Sequence, residues 1–138
     1  MTEKVHVQAK FDAGTRFSIE SGSGHSVTLD GEHNAGYSPM ELVLASVAGC
    51  SGISVISIVL KKQQVVKDYE VRVEGIRAET YPLVFTDIRV EHILTGHNIR
   101  PEAVERAIEL AETRYCPVSV MLGKVTNLTH TYQIIEAE

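Results

Sequence analysis

The feature that most constrains this chain is a run of nineteen residues without a charge, from Leu42 to Leu60. A membrane-spanning helix needs about 20 apolar residues, so the run is long enough to cross a bilayer. Four serines and two glycines dilute it, however, and segments that alternate polar and apolar residues precede and follow it. We therefore predict a helix buried in a globular protein, since a helix that is apolar all round needs cover on every side.

The two ends of this helix carry recognisable signals. In "SPME", Ser38 reads as the N-cap, Pro39 as the first helical residue and Glu41 as the partner that completes a capping box. Lys61 and Lys62 follow the uncharged run, and cations suit a helix C-terminus. We predict that the helix begins at Pro39, after its N-cap Ser38, and ends near these lysines.

Three short strands are predicted before the helix, within residues 1–37. The N-terminal segment "VHVQAKF" alternates apolar and polar residues, and the runs "RFSIE" and "SVTLD" follow across the glycine-rich turn "SGSGH". The loop "GEHNAGY" then leads to the helix. This part of the chain is predicted to be a three-stranded sheet and a loop.

Two strands, a second helix and a last strand are predicted after the long helix. The strands are "YEVRVEGIRAE", with a bulge predicted at Gly75, and "VFTDIRVEHIL". The second helix opens at Pro101 and is apolar on one side only. Its apolar stripe consists of Val104, Ala107, Ile108, Ala111 and Tyr115. The run "NLTHTYQII" closes the chain as a strand.

The order βββ-α-ββ-α-β predicts an α+β fold rather than a doubly wound parallel sheet. We expect one domain over residues 1–138, formed by the sheet and loop of 1–37 and the remaining elements of 38–138. A helix of about 20 residues is about 30 Å long, and one layer of short strands cannot cover all its faces. A second copy of the chain would supply that cover, so we expect an intertwined homodimer.

Charge and the N-terminus narrow the classes of function. Thirteen basic and eighteen acidic side chains give a net charge of −5, which disfavours binding to nucleic acid or to an anionic membrane. The first residues, "MTEKVHVQAKF", lack the apolar segment of a secretory signal. We therefore expect a cytoplasmic protein whose thiols are reduced by default.

The chain has two cysteines, 66 positions apart, which match neither a disulfide scaffold nor a CxxC motif. Cys50 lies in "SVAGCSGIS", where Gly49 and Gly52 lower helix propensity and suggest close approach of another backbone or of a ligand. Tight packing around a small buried cysteine explains the same stretch.

Cys116 carries a different signal, because the residue before a proline avoids the α conformation. With Pro117 after it, the second helix is predicted to stop near Tyr115 and a new helical turn to begin. Cys116 then becomes an N-cap whose sulfur faces free N–H groups, a setting that lowers the pKa of a thiol. A half-buried cysteine at a helix corner is the alternative.

A thiol peroxidase needs a thiolate, a cation or donor that stabilises charge, and a second thiol that captures the sulfenic acid. Arg16 is the only arginine before residue 72 and lies at a turn between the first two strands. Glu41 could orient Arg16, although on a straight helix it points about 180° away from Cys50. His92 and His97 are the nearest histidine pair but form no ligand motif, so we predict no metal or cofactor.

The segments "SPMELVLASVAGCSGISVISIVLKK" and "RYCPVSVMLGKV" together resemble the OsmC/Ohr family, osmotically induced protein C and organic hydroperoxide resistance proteins, in its uncharacterised OsmC-like branch. This resemblance implies an intertwined homodimer that reduces organic or fatty-acid hydroperoxides. It implies that a dihydrolipoyl group or another dithiol is the reductant. It also implies that Cys50 is the peroxidatic cysteine and Cys116 the resolving one, joined by an intrasubunit disulfide after oxidation.

Two features depart from the family pattern. The family arginine comes from a G-R turn after the first strand, and "AGTRF" places Arg16 only approximately in that register. The family peroxidases carry an N-P-E sequence whose glutamate holds the catalytic arginine, and here Met40 stands in that place with Glu41 one residue later. We predict a peroxidase with Cys50, Cys116, Arg16 and Glu41 as its site. The alternatives are a non-catalytic dimer that binds a hydrophobic ligand or senses oxidation, and a protein in which both thiols are only packing.

Overall fold

The computed structural model describes residues 2–138, which form six strands and three helices with one π-helical segment. In chain order the elements are β1 (Val7–Ala13), β2 (Arg16–Ser21), β3 (Ser26–Asp30), α1 (Pro39–Lys61), β4 (Val65–Arg77), β5 (Phe85–His97), α2 (Pro101–Leu110), the π-helical segment (Ala111–Tyr115), α3 (Pro117–Leu122) and β6 (Asn127–Glu136). The predicted α+β order is confirmed, with one additional short helix after the cysteine turn. The chain divides into two compact units, one up to Val43 and one from Leu44 to Glu138.

The first unit contains an antiparallel sheet of β1, β2 and β3, in that order. Phe17 pairs with Phe11 on one side and with Leu29 on the other, so these apolar side chains share one face of the sheet. Phe11 and Val7 remain 62% and 66% exposed. The three predicted strands are confirmed, and their apolar face is left uncovered within this unit.

The second unit is built on a sheet of the order β4-β5-β6, in which β5 lies in the middle. It pairs antiparallel with β4 and parallel with β6. Every second side chain of β5 points into the core, and Ile88, Val90, His92 and Leu94 are at most 1% exposed. This central strand therefore carries the apolar floor on which the helices pack, with one histidine in it.

Helix α1 is only partly enclosed by the rest of its own chain. Only one stripe is buried, and it consists of Val47, Ser51, Val55 and Val59. On the other side Ile53 is 69% exposed, and a Cβ atom at Gly49 would meet nothing within 4 Å. This agrees with the expectation that one layer of short strands cannot cover all faces of the helix, and the second copy that would complete the cover stays a prediction.

By length and composition α1 still satisfies the criterion for a membrane span, and 22% of its most apolar window is buried. Its buried stripe, however, belongs to the main hydrophobic core. Val55 and Val59 pack in one cluster with Leu94 of β5 and Val104 of α2. This packing is that of the core helix of a globular unit.

The predicted bulge at Gly75 is wrong, because Gly75 pairs in regular register with Ile88. An irregularity occurs one step later, between Ile76 and Arg77. A Cβ atom at Gly75 would lie only 2.5 Å from the ring of Phe85. Glycine is needed here because the aromatic ring lies directly against the strand.

Helix α2 begins at Pro101 and packs on one side, as predicted. The residues Ala103, Val104, Ala107 and Ile108 of α2 and the following Ala111 are buried. Tyr115, the last residue of the predicted stripe, is 52% exposed. The π-helical segment rotates the chain there, so the 3.6-residue period no longer applies to Tyr115.

Candidate active site

The long helix that carries Cys50 is anchored at its start by the predicted capping box. The backbone N–H of Ser38 donates to Glu41 Oε1 at 2.9 Å, and the backbone N–H of Glu41 donates to Ser38 Oγ at 3.2 Å. The bond from the Ser38 N–H, together with a hydrogen bond from the Ser38 side chain, lowers the pKa of the Glu41 carboxyl. The predicted start of the helix is therefore confirmed, and Cys50 lies on the same helix, further along the chain.

The other two predicted site residues lie in the first unit, each with a partner of its own. Arg16 Nε lies 3.7 Å from Asp12 Oδ2, while Glu41 holds Ser38. Among residues 2–138 no ion pair joins Arg16 to Glu41. The roles of Arg16 and Glu41 in catalysis stay predictions.

The turn at Cys116 has the predicted geometry. After α2 the chain continues through the π-helical segment, which ends where the N–H of Cys116 donates to the carbonyl of Ala111 at 2.9 Å. Cys116 is extended, with φ −101° and ψ 97°, as the following Pro117 requires. Its sulfur accepts the N–H of Ser119 at 3.4 Å, so Cys116 is the N-cap of α3.

The fold brings the two thiols together. Cys50 packs against the core cluster that contains Cys116, and each thiol shifts the pKa of the other, although 66 positions separate them in the chain. Both are free cysteines; Cys50 is half-buried and Cys116 is completely buried. Only the Cys50 sulfur of this pair is therefore open to a molecule that arrives from solvent.

Two buried hydroxyl groups surround the Cys116 sulfur. Ser51 Oγ lies 3.8 Å from Cys116 Sγ and 3.2 Å from Ser119 Oγ, and both serines are at most 2% exposed. One helical turn later, Ser54 Oγ donates to the carbonyl of Tyr115 at 3.4 Å. The sequence interpretation missed Ser51 and Ser119, although a serine three residues after an N-cap was the available signal for Ser119.

These contacts distribute the charge of the thiol pair unevenly. Burial raises the pKa of Cys50, and its hydrogen bond to Cys116 raises it further. Burial acts on Cys116 in the same direction, but hydrogen bonds from Cys50, Ser119 and Ser51 outweigh it and lower the pKa of Cys116. These opposite directions favour Cys116 over Cys50 as the thiolate of the pair.

A second polar cluster lies in the core of the same unit, and it is not the histidine pair considered from the sequence. Tyr69 Oη lies 2.6 Å from His92 Nδ1, and His92 Nε2 lies 3.0 Å from His130 Nδ1. His97 lies instead at Glu136, 3.5 Å from its carboxylate. Among residues 2–138 no group of three metal-ligating side chains occurs.

An open groove of about 420 Å³ lies between α1 and the end of α2. Its lining is mostly apolar and includes Ile53, Ile58, Leu110 and Tyr115, with Lys61 among the polar residues. Tyr115 precedes the buried thiol, and Ser54 on the groove wall is one turn beyond Cys50. The groove therefore lies beside the thiol pair.

Comparison with known proteins places this geometry in context. The family model described as "OsmC-like protein" matches residues 31–131. Protein YhfA of Escherichia coli K12 is 40% identical over 134 residues, 96% of this chain and all of that protein. A hypothetical protein from Aquifex aeolicus VF5 is 29% identical with a TM-score of 0.90, over 99% of this chain and 100% of the other. The organic hydroperoxide resistance protein OhrB of Bacillus subtilis shares the fold at 17% identity, with a TM-score of 0.64 over 95% and 98%.

Proposed function

The chain belongs to the OsmC-like protein family, and from this premise we propose that it is a thiol-dependent peroxidase that reduces organic or fatty-acid hydroperoxides. The observation that carries the proposal is that Cys50 packs against the cluster that contains Cys116, where each thiol shifts the pKa of the other. One thiol is reachable from solvent, and the other is buried beside it with donors for a negative charge. That is the arrangement a two-thiol redox cycle needs.

In the first step Cys50 attacks the peroxide. Its proton passes along the hydrogen bond to the Cys116 thiolate, and the Cys50 sulfur displaces the alkoxide from the terminal oxygen of the peroxide. The O–O bond breaks, an S–O bond forms, and Cys50 becomes a sulfenic acid. The alkoxide takes the proton back from Cys116 and leaves as an alcohol, so that peroxide is reduced and Cys50 is oxidised.

In the second step Cys116, again a thiolate, attacks the sulfenic sulfur of Cys50. A disulfide forms, and hydroxide leaves to become water with a proton from solvent. An external dithiol, such as a dihydrolipoyl group, then reduces the disulfide and is itself oxidised to a disulfide. No bound cofactor is required for the cycle.

Arg16 and Glu41 have supporting roles in this proposal. Arg16 stabilises the charge on the attacking sulfur and on the leaving alkoxide, and Glu41 orients Arg16. Both side chains are engaged elsewhere in the isolated chain, so these roles require Arg16 to leave Asp12. Replacement of Arg16 with lysine is expected to lower the rate of peroxide reduction and leave the slow disulfide closure by a general oxidant unchanged.

The experiment treats the reduced protein with cumene hydroperoxide and locates the oxidised thiols by peptide mass spectrometry. We expect a disulfide between Cys50 and Cys116 in wild type. In Cys116→Ser the Cys50 sulfenic acid should persist and react with dimedone, while in Cys50→Ser no such adduct should form. Peroxide loss driven by a lipoyl-type dithiol is measured in the same samples.

Two results would remove the proposal. One is that both thiols stay reduced while the dithiol drives no peroxide loss. The other is that Cys50→Ser consumes peroxide as fast as wild type. A sulfenic acid found on Cys116 in Cys50→Ser would reverse the roles of the two thiols.

We also propose that the protein is a cytoplasmic homodimer. The support is the apolar surface that the single chain leaves uncovered on α1 and on the sheet of the first unit, where Ile53 and Phe11 are 69% and 62% exposed. Monomeric proteins rarely expose contiguous patches of this kind. Light scattering at micromolar concentration tests the dimer, and a stable monomer would exclude it.

A second candidate function is favoured by the apolar groove beside the thiols. A non-catalytic protein of this fold would hold a hydrophobic ligand there, with its acidic group, if it has one, near Lys61. Isothermal titration with a medium-chain fatty acid would separate the two functions. Micromolar binding together with no peroxide turnover supports the second, whereas rapid turnover removes it.

A further inference from the structure

The proposed chemistry does not use the buried chain of hydrogen bonds that runs from Tyr69 through His92 to His130. The two bonds are 2.6 Å and 3.0 Å long, and the His92 and His130 rings stack 5.2 Å apart. His92 is completely buried at a position between apolar neighbours on β5. Burying an imidazole in a core costs a desolvation free energy that an apolar side chain would not cost. The presence of these hydrogen-bonded histidines therefore needs an explanation.

The hydrogen bonds of this chain have a preferred direction. If Tyr69 donates to His92 and His92 donates to His130, only the Nε2–H of His130 lacks an acceptor. In the opposite direction the hydroxyl proton of Tyr69 would also be left unpaired. Burial raises the pKa of Tyr69 and lowers that of His92 to about 4, so all three groups are neutral at pH 7. Tyr69 is thus a donor held by a neutral His92.

Tyr69, the first residue of this series of hydrogen bonds, contacts α1, the helix that carries Cys50. A Cβ atom at Gly52 would lie 3.9 Å from Cε2 of Tyr69 and 3.4 Å from Cγ2 of Val71, so the helix rests on these two side chains. Gly52 follows Ser51 directly, and Ser51 Oγ is 3.8 Å from the Cys116 sulfur. The Tyr69 ring and the Val71 side chain therefore together limit how deep this turn of α1 lies.

We propose that Tyr69, fixed by His92 and His130, is a positioning residue that sets the depth of α1 at Gly52 and so places the Ser51 hydroxyl and the Cys50 thiol against the Cys116 sulfur. The proposal rests on the proposed function only in taking the two thiols as the reactive groups. It extends the site by three residues that contact neither sulfur.

The measurable consequence is the ionisation of the thiol pair. Two of the donors to Cys116, Cys50 and Ser51, lie on α1, whereas the Ser119 N–H belongs to α3. If α1 shifts, the first two weaken, the thiolate loses stabilisation and the first pKa of the pair rises. We expect a rise of about half a unit or more, since hydrogen bonds to a charged acceptor are the strong ones.

The test follows thiolate formation by absorbance at 240 nm during a pH titration of the reduced protein. Each protein is corrected with the matching Cys50→Ser, Cys116→Ser variant, which removes the tyrosine contribution. Tyr69→Phe keeps the ring beside Gly52 but loses its anchor. A Cβ atom at Gly52 would already be in van der Waals contact with Val71 and Tyr69, so Gly52→Leu, whose side chain extends further, pushes α1 away directly. The matched control is Tyr132→Phe. It removes a tyrosine hydroxyl of β6, which donates to Oε1 of Glu105 at 2.6 Å.

The proposal is supported if Tyr69→Phe and Gly52→Leu both raise the first midpoint while Tyr132→Phe does not. An unchanged midpoint in Tyr69→Phe overturns it, even if the melting temperature falls, because the chain would then stabilise only the fold. An equal rise in Tyr132→Phe also overturns it, since any loosening of the sheet would have the same effect. No peroxide is used, so a protein without peroxidase activity can still support the positioning role.

Discussion

Acidification should destabilise this protein between pH 6.5 and 4 because of the histidines buried in its core. Burial, with a smaller contribution from His130, lowers the pKa of His92 from 6.5 to about 4, and burial lowers that of His130 to about 4. A difference of about 2.5 units at His92 corresponds to about 3 kcal/mol of unfolding free energy. His130 acts in the same direction.

The sign of this effect follows from which state binds the proton first. The unfolded chain protonates its histidines near pH 6.5, whereas the folded chain keeps His92 neutral down to about pH 4. The contribution of the neutral histidine to the free energy of unfolding is therefore fully present above pH 6.5. It is lost as the pH falls toward 4. The carboxyl of Asp30, whose pKa is lowered to about 2 chiefly by its bond from Thr15, contributes its own loss below that window.

The loss of unfolding free energy can be measured by urea unfolding, monitored by circular dichroism. The titrations are made at half-unit steps of pH and at one protein concentration. We expect the free energy of unfolding of wild type to fall by about 3 kcal/mol or more from pH 7 to 4. His92→Gln does not titrate there, so its curve should be flatter by about the same amount, whatever its stability at pH 7. His25→Asn, at an exposed hairpin, should retain the full loss.

The reasoning fails if the wild-type curve is flat over this range. It also fails if His92→Gln loses as much stability as wild type over this pH range. Protonation of a group other than His92 would then cause the loss. A similar flattening in His25→Asn would mean that exposed histidines, and not the buried pair, cause the effect.

Three further predictions concern the fold. Gly96→Ala places a methyl group on the backbone carbonyl of Val65, so it should prevent soluble expression or lower the melting temperature by more than 10 °C; an unchanged melting curve would contradict this contact. Ser38→Ala removes the cap of α1 and should cost about 1 kcal/mol in urea unfolding, with an unchanged value showing that Glu41 alone secures the helix start. Ile53→Glu puts a charge on the exposed face of α1 and should convert the proposed dimer to monomer in sedimentation, whereas a variant that stays dimeric would place the interface elsewhere.

The buried histidines illustrate where interpretation of the sequence stopped. His92 stands in the inward alternation of β5, between Val90 and Leu94, so its burial follows from the pattern. Its partner does not, because His130 is 38 residues away on β6, a strand that pairs in parallel through a long crossover. Parallel pairing leaves no local signal of register, and the sequence interpretation considered His97 instead.

The uncovered face of α1 is a second instance. The uncharged run predicts correctly that the helix forms and that most of its sides are apolar. How many of those sides one chain can cover depends on the width of the sheet beneath it. That sheet has three strands and reaches only the stripe of Val47, Ser51, Val55 and Val59.

The sequence by itself determined the features that depend on residues only a few positions apart. The capping box of Ser38 and Glu41, the extended Cys116 before Pro117 and the N-cap at α3 all follow from local sterics and hydrogen bonding. Only the tertiary structure decided that Cys50 and Cys116 meet, and that the buried sulfur is favoured as the thiolate of the pair. Both depend on side chains from distant segments and on exclusion of water, which strengthens every hydrogen bond to the thiolate and which no short stretch of sequence encodes.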